Sequence, residues 1–288
     1  MSSTDTTFTI QRILVALDAS PHSLAALEMA VDLAARLKAE LAGLFVEDVE
    51  LLRMADSPSA REIAYPSASH APLNRGIMER KLRAQSEHIR KALAVAAHRA
   101  QIRWSFRSIR GHVTSALRDA ATQHDIVAAG RLGWSLGQRP RIGSTALGLA
   151  TSDIPLLLIS ERAAFSNLRL VVYYDGSRAA KDALLVAAKL AHAGTKGITV
   201  LVSAADYEHE LGEIHGLLRG QGLEIRCRRI DLENEMSLLR ALKEEGAILL
   251  VLASRQLLKD REAFEAILRK VDLPLLLLGG GFHAPAQP

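Results

Sequence analysis

Short apolar runs alternate along this chain with longer segments in which apolar residues recur every three or four positions. Residues 13–17 and 41–46 are two of the runs, and their length is typical of β-strands. Strands that alternate with helices in this way predict a parallel sheet with helices on both faces. Ser20 and Pro21 mark the predicted start of the first helix, because serine caps helix N-termini and proline suits the first helical position.

The third strand of each half is patterned differently from the others. Residues 102–107 alternate between apolar and polar or charged side chains, and residues 223–228 do the same. A strand buried on both faces would be apolar throughout, so the alternation predicts half-exposed strands at a sheet edge. Strands one, two and four are then central, which gives the strand order 3-2-1-4-5. In that order ligands bind in the crevice between strands one and four.

An internal repeat divides the chain into two similar halves. Residues 12–20 read RILVALDAS and residues 169–177 read RLVVYYDGS, which places an aspartate after the first strand of each half at an offset of 157. Two copies of one βα unit explain the match. We therefore expect one domain over residues 1–162 and a second over residues 163–288.

The last strands of the two halves are also alike. Residues 154–159 and 273–278 both contain one proline within a run of leucine and isoleucine. Left unpaired, each strand would be an exposed apolar edge. We expect the two strands to pair in antiparallel fashion within one chain, which makes the molecule an intramolecular pseudo-dimer. A further homodimer stays open.

Composition and charge exclude several kinds of partner. The 288 residues are 49% hydrophobic, enough for two cores, and the formal net charge is +4. The cations are spread over helical faces without interleaved aromatic residues, so no nucleic-acid partner is expected. A single cysteine, Cys227, indicates a reducing compartment, and no apolar run is long enough to span a membrane. With no secretory leader in the sequence, these features predict a cytoplasmic protein without a membrane partner.

Candidate chemistry centres on a glycine loop after the fourth strand of the first half. Gly130, Gly133, Gly143 and Ser144 follow a G-x2-G-x9-G-S spacing. Glycine has no Cβ, so a polyanion can approach the backbone closely at these positions. A short helix is predicted over residues 145–152, and the free amides of a helix N-terminus form an anion site. The loop therefore predicts binding of the phosphate chain of a nucleotide.

These features resemble those of the universal stress protein family in its tandem two-domain form, over nearly the whole chain. In the first half the resemblance rests on Asp18, Gly111, residues 125–127 and the glycine spacing. In the second half it rests on the segment Asp-Gly-Ser after the first strand, on the apolar strands and on the last Leu-Pro-Leu. The family implies α/β architecture: two tandem Rossmann-like domains of the adenine nucleotide α-hydrolase type, each with a five-stranded parallel sheet.

Members of this family that carry the glycine signature typically bind ATP. By that similarity, Asp18 and the backbone around Val46 would flank the adenine and the ribose. The ribose and phosphates would be held by the signature and its neighbours, namely Gly130, Arg131, Gly133, Gly143, Ser144 and Thr145. The resemblance thus implies ATP as the cofactor, and whether Mg²⁺ accompanies it stays open.

The second half lacks the glycine loop. Arg255, Lys259 and Glu262 stand where the first half has glycines, and the segment is five residues shorter when Ser254 is aligned with Gly130. Charged side chains there would block a phosphate cradle. We therefore expect one nucleotide per chain, bound in the first half.

Several residues near the loop have two interpretations. Asp18 either orients the nucleotide or caps the following helix, and the ligand role is favoured because Asp18 ends a strand at the crevice. For Asp175 the capping role is favoured. Arg131 either contacts phosphate oxygens or faces solvent, whereas Arg139 and Arg141 are expected in solvent.

Other features of the sequence point away from additional sites. The insertion over residues 47–76 is either a flap over the nucleotide or, as favoured, a surface excursion with a helical turn near residues 50–54. His209 and His215 are six residues apart, which places them on different helix faces and argues against a metal site. Cys227 lies on the apolar side of its strand and is predicted to be a core residue.

Two classes of function compete. The first is a nucleotide-dependent regulatory or protective protein without catalytic residues, and the second is an enzyme that hydrolyses ATP slowly or transfers an adenylyl group. The sequence has no Walker A ending, no Ser-Gly-Gly loop after the first strand and no His-x-Gly-His pair, which disfavours the enzyme. A third alternative is a structural stress protein whose site is closed by Leu132 or by the arginine-rich turn. The regulatory or protective protein is our prediction.

Overall fold

The structure is a computed structural model, and it describes residues 10–59, 61–64, 69–132, 142–160, 169–194, 197–203, 206–230, 235–253 and 261–279. The elements of the first half are β1 (Arg12–Leu17), α1 (Pro21–Leu37), β2 (Glu40–Asp48), α2 (Val49–Ala55), β3 (Arg61–Ala64), β4 (Ser69–Pro72), α3 (Arg75–Ala100), β5 (Trp104–Gly111), α4 (Val113–Ala121), β6 (Ile126–Gly130), α5 (Ser144–Ala150) and β7 (Leu156–Ile159). Those of the second half are β8 (Leu170–Tyr174), α6 (Arg178–Gly194), β9 (Gly197–Val202), α7 (Tyr207–Leu217), β10 (Glu224–Arg229), α8 (Glu235–Glu244), β11 (Leu249–Ala253), α9 (Arg261–Lys270) and β12 (Leu275–Leu278).

Ten of the strands form one continuous sheet in the order β10-β9-β8-β11-β12-β7-β6-β1-β2-β5. Each half contributes five strands, and within each half all neighbouring strands are parallel. Counted within its own half, each set of five has the order 3-2-1-4-5. The predicted α/β fold and strand order are confirmed.

The two edges of the sheet are the alternating strands β5 and β10. Half-exposed side chains alternate with exposed ones along both, as the sequence pattern predicts. β5 begins at Trp104, two residues later than predicted. Gln101 adopts a left-handed conformation (φ 53°) and Ile102 donates its N–H to the Ala97 carbonyl, so these residues end α3 before the strand can start.

Helices cover both faces of the sheet. α1, α3, α6 and α7 pack on one face, and α4, α5, α8 and α9 pack on the other. Neighbouring residues of the central strands contribute to opposite faces: Ile13 and Val15 belong to the first core and Leu14 to the second. The central strands are therefore apolar throughout, because both faces are buried.

The halves meet at an antiparallel pair of strands, β7 and β12. Leu156, Leu157 and Leu158 lie opposite Leu277, Leu276 and Leu275, which is the pairing that the repeat predicts. Behind them, a Cβ at Gly279 would lie 2.2 Å from the carbonyl carbon of Asp153. The two backbones therefore approach each other so closely that only glycine fits at position 279.

The insertion of the first half contains ordered elements. α2 covers the helical turn predicted near residues 50–54, and Leu52 packs on Phe45 and Leu82. β3 and β4 form a separate antiparallel pair. A surface excursion stays the favoured prediction for the insertion, with a flap as its alternative. The linker near residues 161–167, with the expected domain boundary, lies outside the described residues.

The sequence also predicts that no segment spans a membrane, and the helices can be compared with that prediction. Within the stretches that the structure describes, no helix combines the length and the apolar character that crossing a bilayer requires.

Candidate functional site

A cavity of about 200 Å³ opens at the carboxyl end of the first-half sheet. It lies where β1 and β6, the first and fourth strands, end side by side, which is the crevice expected from the strand order. The predicted site residues on its wall are Asp18, Val46, Gly130, Arg131, Gly143, Ser144 and Thr145. Gly133 lies outside the described residues, as do Arg139 and Arg141.

Asp18 forms a tight turn between β1 and α1. Its Oδ1 accepts a hydrogen bond from the Ser20 N–H at 2.9 Å, and its own N–H donates to Ser23 Oγ at 3.3 Å. Asp175 Oδ1 accepts from the Ser177 N–H in the same way, at 3.0 Å. The turn is therefore common to both halves, and Asp18 in addition lines the cavity. A carboxylate has about four acceptor positions, so this turn is compatible with a ligand contact.

Gly130 is required for a reason that the sequence does not reveal. A Cβ at this position would lie 2.8 Å from the carbonyl carbon of His22 and 2.9 Å from its oxygen. The start of α1 therefore packs directly on the end of β6. The missing Cβ therefore accommodates a helix. Gly130 also lines the cavity, and the close approach of a polyanion to its backbone stays a prediction.

The side chain of Arg131 does not face solvent, which corrects one of its two interpretations. It is only 5% exposed, and its guanidinium donates from Nη1 to the Val271 carbonyl oxygen of the second half. Burial lowers the pKa of Arg131, and the nearby Asp272 carboxylate partly opposes that effect. The guanidinium of Arg131 is thus directed at the second half. Its main chain, in contrast, is hydrogen-bonded to Gly143.

Main-chain hydrogen bonds hold the start of α5 against the end of β6. The Gly143 N–H donates to the Arg131 carbonyl at 2.9 Å, and the first bond of the helix runs from the Leu147 N–H to the Gly143 carbonyl at 2.9 Å. The N–H groups of residues 144–146 precede that bond and have no partner within the helix. Residues 144–146 line the cavity, and their role as an anion site stays a prediction. The helix begins one residue earlier than expected and ends at Ala150.

The opposite wall of the cavity is apolar. Leu44 and Val46 come from β2, and Val113 and Leu117 come from α4. The sequence analysis missed the two α4 residues, although their spacing of four places them on one helix face just after Gly111. It also missed Ser23, whose hydroxyl supports the Asp18 turn. The site therefore has a polar side that suits phosphates and an apolar side that suits a flat base.

The matching position in the second half is filled. Strand pairing places Tyr173 beside Leu201, where the first half has Ala16 beside Leu44. Tyr173 is buried, and burial raises the pKa of its hydroxyl, which hydrogen-bonds Ser203. A large ring therefore occupies space that the first half leaves open.

Strand pairing also corrects the alignment of the halves. Gly130 pairs with Ile159, and Ala253 pairs with Leu278, the last residue of its own terminal strand. Ala253 rather than Ser254 is thus the counterpart of Gly130. Because 24 positions separate Gly130 from Ile154 and 20 separate Ala253 from Leu273, the second-half segment is shorter by four residues, not five.

A polar cluster stands at the carboxyl end of β8, next to the α6 and α7 helices. Tyr174 donates from its hydroxyl to Glu213 Oε2 at 2.9 Å, and Lys181 pairs with Glu213 Oε1. These bonds lower the pKa of Glu213, chiefly through Lys181. Gly176 has a φ of 79°, and a Cβ there would lie 2.5 Å from Glu210 Oε1. The cluster fixes α7 to the end of the strand.

Metal and thiol chemistry find little support in the described stretches. They contain no group of three or more histidine, cysteine, aspartate or glutamate side chains that could hold a metal ion. Cys227 packs on the core, and burial raises the pKa of its thiol. It is therefore the core residue that the alternation predicts.

Comparison with solved structures identifies the fold. A universal stress protein from Archaeoglobus fulgidus DSM 4304 matches 94% of this chain and 99% of its own, with 16% identity and a TM-score of 0.72. The universal stress protein UspA from Lactobacillus plantarum covers 53% of this chain and 98% of its own, with 22% identity and a TM-score of 0.39. A universal stress protein in complex with cAMP covers 53% and 98%, with 19% identity and a TM-score of 0.35.

No curated protein matches the sequence. The sequence model of the universal stress protein family, in contrast, matches residues 9–160, which is more than half of the chain. The matched stretch contains β1, the cavity and β7, and the nearly full-length structural match extends the same architecture over the second half. The chain therefore belongs to the universal stress protein family.

Proposed function

We propose that the chain binds one adenine nucleotide, ATP, in the cavity of its first half and acts as a nucleotide-dependent regulatory or protective protein. The observation that carries this proposal is the cavity itself. Asp18, Gly130 and the start of α5 meet there, although more than a hundred residues separate the first from the last.

The two walls of the cavity suit different parts of the nucleotide. The apolar side formed by Val46, Val113 and Leu117 suits the adenine ring, which gains from burial. The amides of residues 144–146 and the Ser144 hydroxyl suit the phosphates. At about 200 Å³ the cavity is smaller than the roughly 300–1,000 Å³ that encloses a whole ligand. The base and sugar would therefore be enclosed, with the phosphates along the rim.

Mg²⁺ would be bound through the phosphates rather than by a protein cage. Phosphate-bound Mg²⁺ usually takes only one or two carboxylates. Asp18 is the carboxylate on the cavity wall that could supply one. We therefore propose Mg²⁺ as a companion of the nucleotide and not as a resident ion.

The organisation we propose is a tandem of two universal stress protein domains, residues 1–162 and 163–288, joined as a pseudo-dimer. The second is degenerate: Tyr173 and Leu252, which directly follow the paired residues Val172 and Val251, stand where the first half has Ala16 and Ala129. These larger side chains support a single site per chain.

The direct test is to release and identify the bound molecule. The purified chain is denatured, and mass spectrometry of the released small molecules is expected to find ATP or its hydrolysis product ADP. Calorimetric titration of nucleotide-free protein with ATP is expected to show binding. Absence of any adenine compound together with no ATP binding would overturn the proposal.

A charge placed at the start of α5 tests where the nucleotide binds. In the double variant Gly143→Asp, Ser144→Asp the fold should persist, because acidic residues suit the first turn of a helix. ATP binding should be lost, because two carboxylates would face the phosphates. Gly76→Asp makes the same change in the first turn of α3, away from the cavity wall, and should bind ATP normally. Unchanged binding by the double variant would show that the site lies elsewhere.

Steady-state hydrolysis separates this proposal from an enzyme. Among the described residues of the cavity wall, Asp18 is the carboxylate and Arg131 is the cation, and the Arg131 guanidinium donates to the Val271 carbonyl of the second half instead of being positioned for phosphoryl transfer. We expect turnover well below about 1 s⁻¹, the low end of common enzyme rates. Faster turnover would assign the chain to the enzyme class.

A further inference from the structure

Arg131 connects the cavity wall of the first half to the second half. Arg131 directly follows β6. The strand next to β6 in the sheet is β7, which pairs with β12 of the second half. The guanidinium donates from Nη1 to the carbonyl oxygen of Val271, the residue after α9. One residue of the glycine signature thus bridges the joint between the halves.

The main chain of Arg131 is held just as firmly. Its N–H donates to the Ile159 carbonyl at 2.9 Å, and its carbonyl accepts from the Gly143 N–H at 2.9 Å. Gly143 is in turn the N-cap residue of α5. Any displacement of Arg131 therefore moves Gly143 and the amides that follow it.

The burial of this arginine is not explained by stability. Nη2 is buried and has no hydrogen-bond partner among the residues that the structure describes. A buried cation with few partners loses more on desolvation than it regains, and an apolar residue of similar length would fill the space without that cost. A buried cation of this kind indicates a role in positioning its neighbours, because the planar guanidinium holds a fixed hydrogen-bond geometry better than an alkyl chain does.

We propose that Arg131 is a positioning residue through which the second half holds the cavity wall of the first half in its ligand-binding shape. The inference rests on the proposed function, because the ligand concerned is the adenine nucleotide. The inference gives the second half a definite role. Its Val271 carbonyl anchors the cavity wall of the first half, although the matching position of the second half is itself filled. Because linkage is reciprocal, nucleotide binding in turn strengthens the joint.

The test compares two arginines that make the same kind of contact. Arg131→Met removes the hydrogen bond to Val271 and keeps an apolar stem of similar length. Arg169→Met is the matched control, because Arg169 Nη1 donates to the Glu245 carbonyl at 3.4 Å, one residue beyond α8, at the amino ends of β8 and β11. Each full-length variant is measured for ATP affinity by calorimetry and for amide hydrogen exchange without nucleotide.

We expect Arg131→Met to bind ATP about tenfold more weakly, the usual effect of losing one charged hydrogen bond. Exchange of the hydrogen-bonded amides of Gly143 and Leu147 and of β7 should be faster in this variant, and Arg169→Met should match the unchanged chain in both measurements. Normal affinity of Arg131→Met would overturn the proposal. Weaker affinity with unchanged exchange would also overturn it, because Arg131 would then act by touching the nucleotide.

Two further outcomes are separable. If the unchanged chain does not bind ATP, the proposed function fails, and exchange of the Gly143 and Leu147 amides alone decides whether Arg131 positions α5. If Arg131→Met does not fold, Arg131→Lys replaces it, since lysine keeps the charge but loses the fork. Weaker ATP binding and faster exchange in that variant support the positioning role, and unchanged values in both overturn it.

Discussion

Gly130 and Gly143 belong to one sequence signature, yet they are glycine for different reasons. A side chain at position 130 would collide with the backbone of His22. Gly143 has a φ of −69° and a ψ of 157°, a conformation that any residue adopts. Its backbone conformation therefore does not require glycine, and Gly143 lines the cavity. Substitutions at the two positions consequently test different things, namely packing at 130 and ligand binding at 143.

At Gly130 we predict a loss of stability on substitution by alanine. The added Cβ would force α1 away from β6, and overpacking of this kind costs about 1–3 kcal/mol. The free energy of unfolding in urea is the measurement. Gly212→Ala on α7, where no atom lies within 4 Å of the new Cβ, should instead gain up to about 1 kcal/mol. Equal effects of the two substitutions would contradict the packing argument.

Glu213 gives a prediction about pH. Its pKa in the folded protein is lowered, chiefly by Lys181, so its contribution to stability is present above its unfolded pKa and is lost as pH falls through the folded value. Lys181→Met should raise the pKa of Glu213 and make stability less dependent on pH below about 5. NMR titration of the Glu213 side-chain carboxyl carbon is the measurement.

The control for Glu213 is the exposed pair of Glu87 and Arg90 on α3. Arg90→Met should leave the acid stability curve almost unchanged, because exposed ion pairs contribute little. A Glu213 pKa that stays low in Lys181→Met would show that Tyr174 and its surroundings set it instead.

Helix starts show what local sequence determines at the scale of an element. Ser20 accepts the Ser23 N–H at 3.2 Å and Ser177 accepts the Ala180 N–H at 3.2 Å, so both halves begin their first helix with the same cap. The residue types predicted the Ser20 cap without tertiary information, because a cap is satisfied within one turn. The same holds for the edge strands, whose alternation follows directly from burial on one face. In the second half Asp175 is the predicted cap, but it accepts the Ser177 N–H and Ser177 caps the helix.

The α1 cap can be tested by removing its hydroxyl. Ser20 is fully buried, so Ser20→Ala removes a bond and leaves the Ser23 N–H without its acceptor. We expect a loss of about 1 kcal/mol in the free energy of unfolding, and a similar loss for Ser177→Ala. Ser57→Ala, at an exposed serine outside the helices, should change stability by less than about 0.5 kcal/mol. A neutral Ser20→Ala would mean that water replaces the cap.

On the scale of the whole molecule, the joint between the halves is the decisive feature. β7 and β12 are the last strands of their halves, and their pairing converts two five-stranded sheets into one of ten. Each strand presents leucines to both faces, so neither could remain an edge without exposing them. The pairing also places Val271 within reach of Arg131.

For the joint, Gly279→Ala is the sharpest substitution. The new Cβ would meet the backbone of Asp153, which cannot rotate away as a side chain can. We expect a loss of about 1–3 kcal/mol and faster amide exchange in both β7 and β12. Gly216→Ala on α7, which faces open space, should leave exchange in these strands unchanged. Protection of β7 unaffected by Gly279→Ala would show that the joint tolerates the displacement.

The number of nucleotides bound per chain depends on both halves of the molecule. Because Tyr173 fills the second-half position, titration of the full chain with ATP should give one site per chain. Dialysis that returns two equivalent sites would contradict the single-site proposal. Tyr173→Phe keeps the ring and should leave the stoichiometry at one.

The repeat, the strand order, the edge strands, the cap of the first helix and the place of the crevice were all predictable from the sequence. These features follow from periodicity and local hydrogen bonding, which are readable along the chain. Tertiary structure alone decided why Gly130 is glycine, where the Arg131 side chain goes and what fills the second half. Each of these depends on atoms from distant segments, His22, Val271 and Tyr173 with Ser203, whose approach no local pattern records.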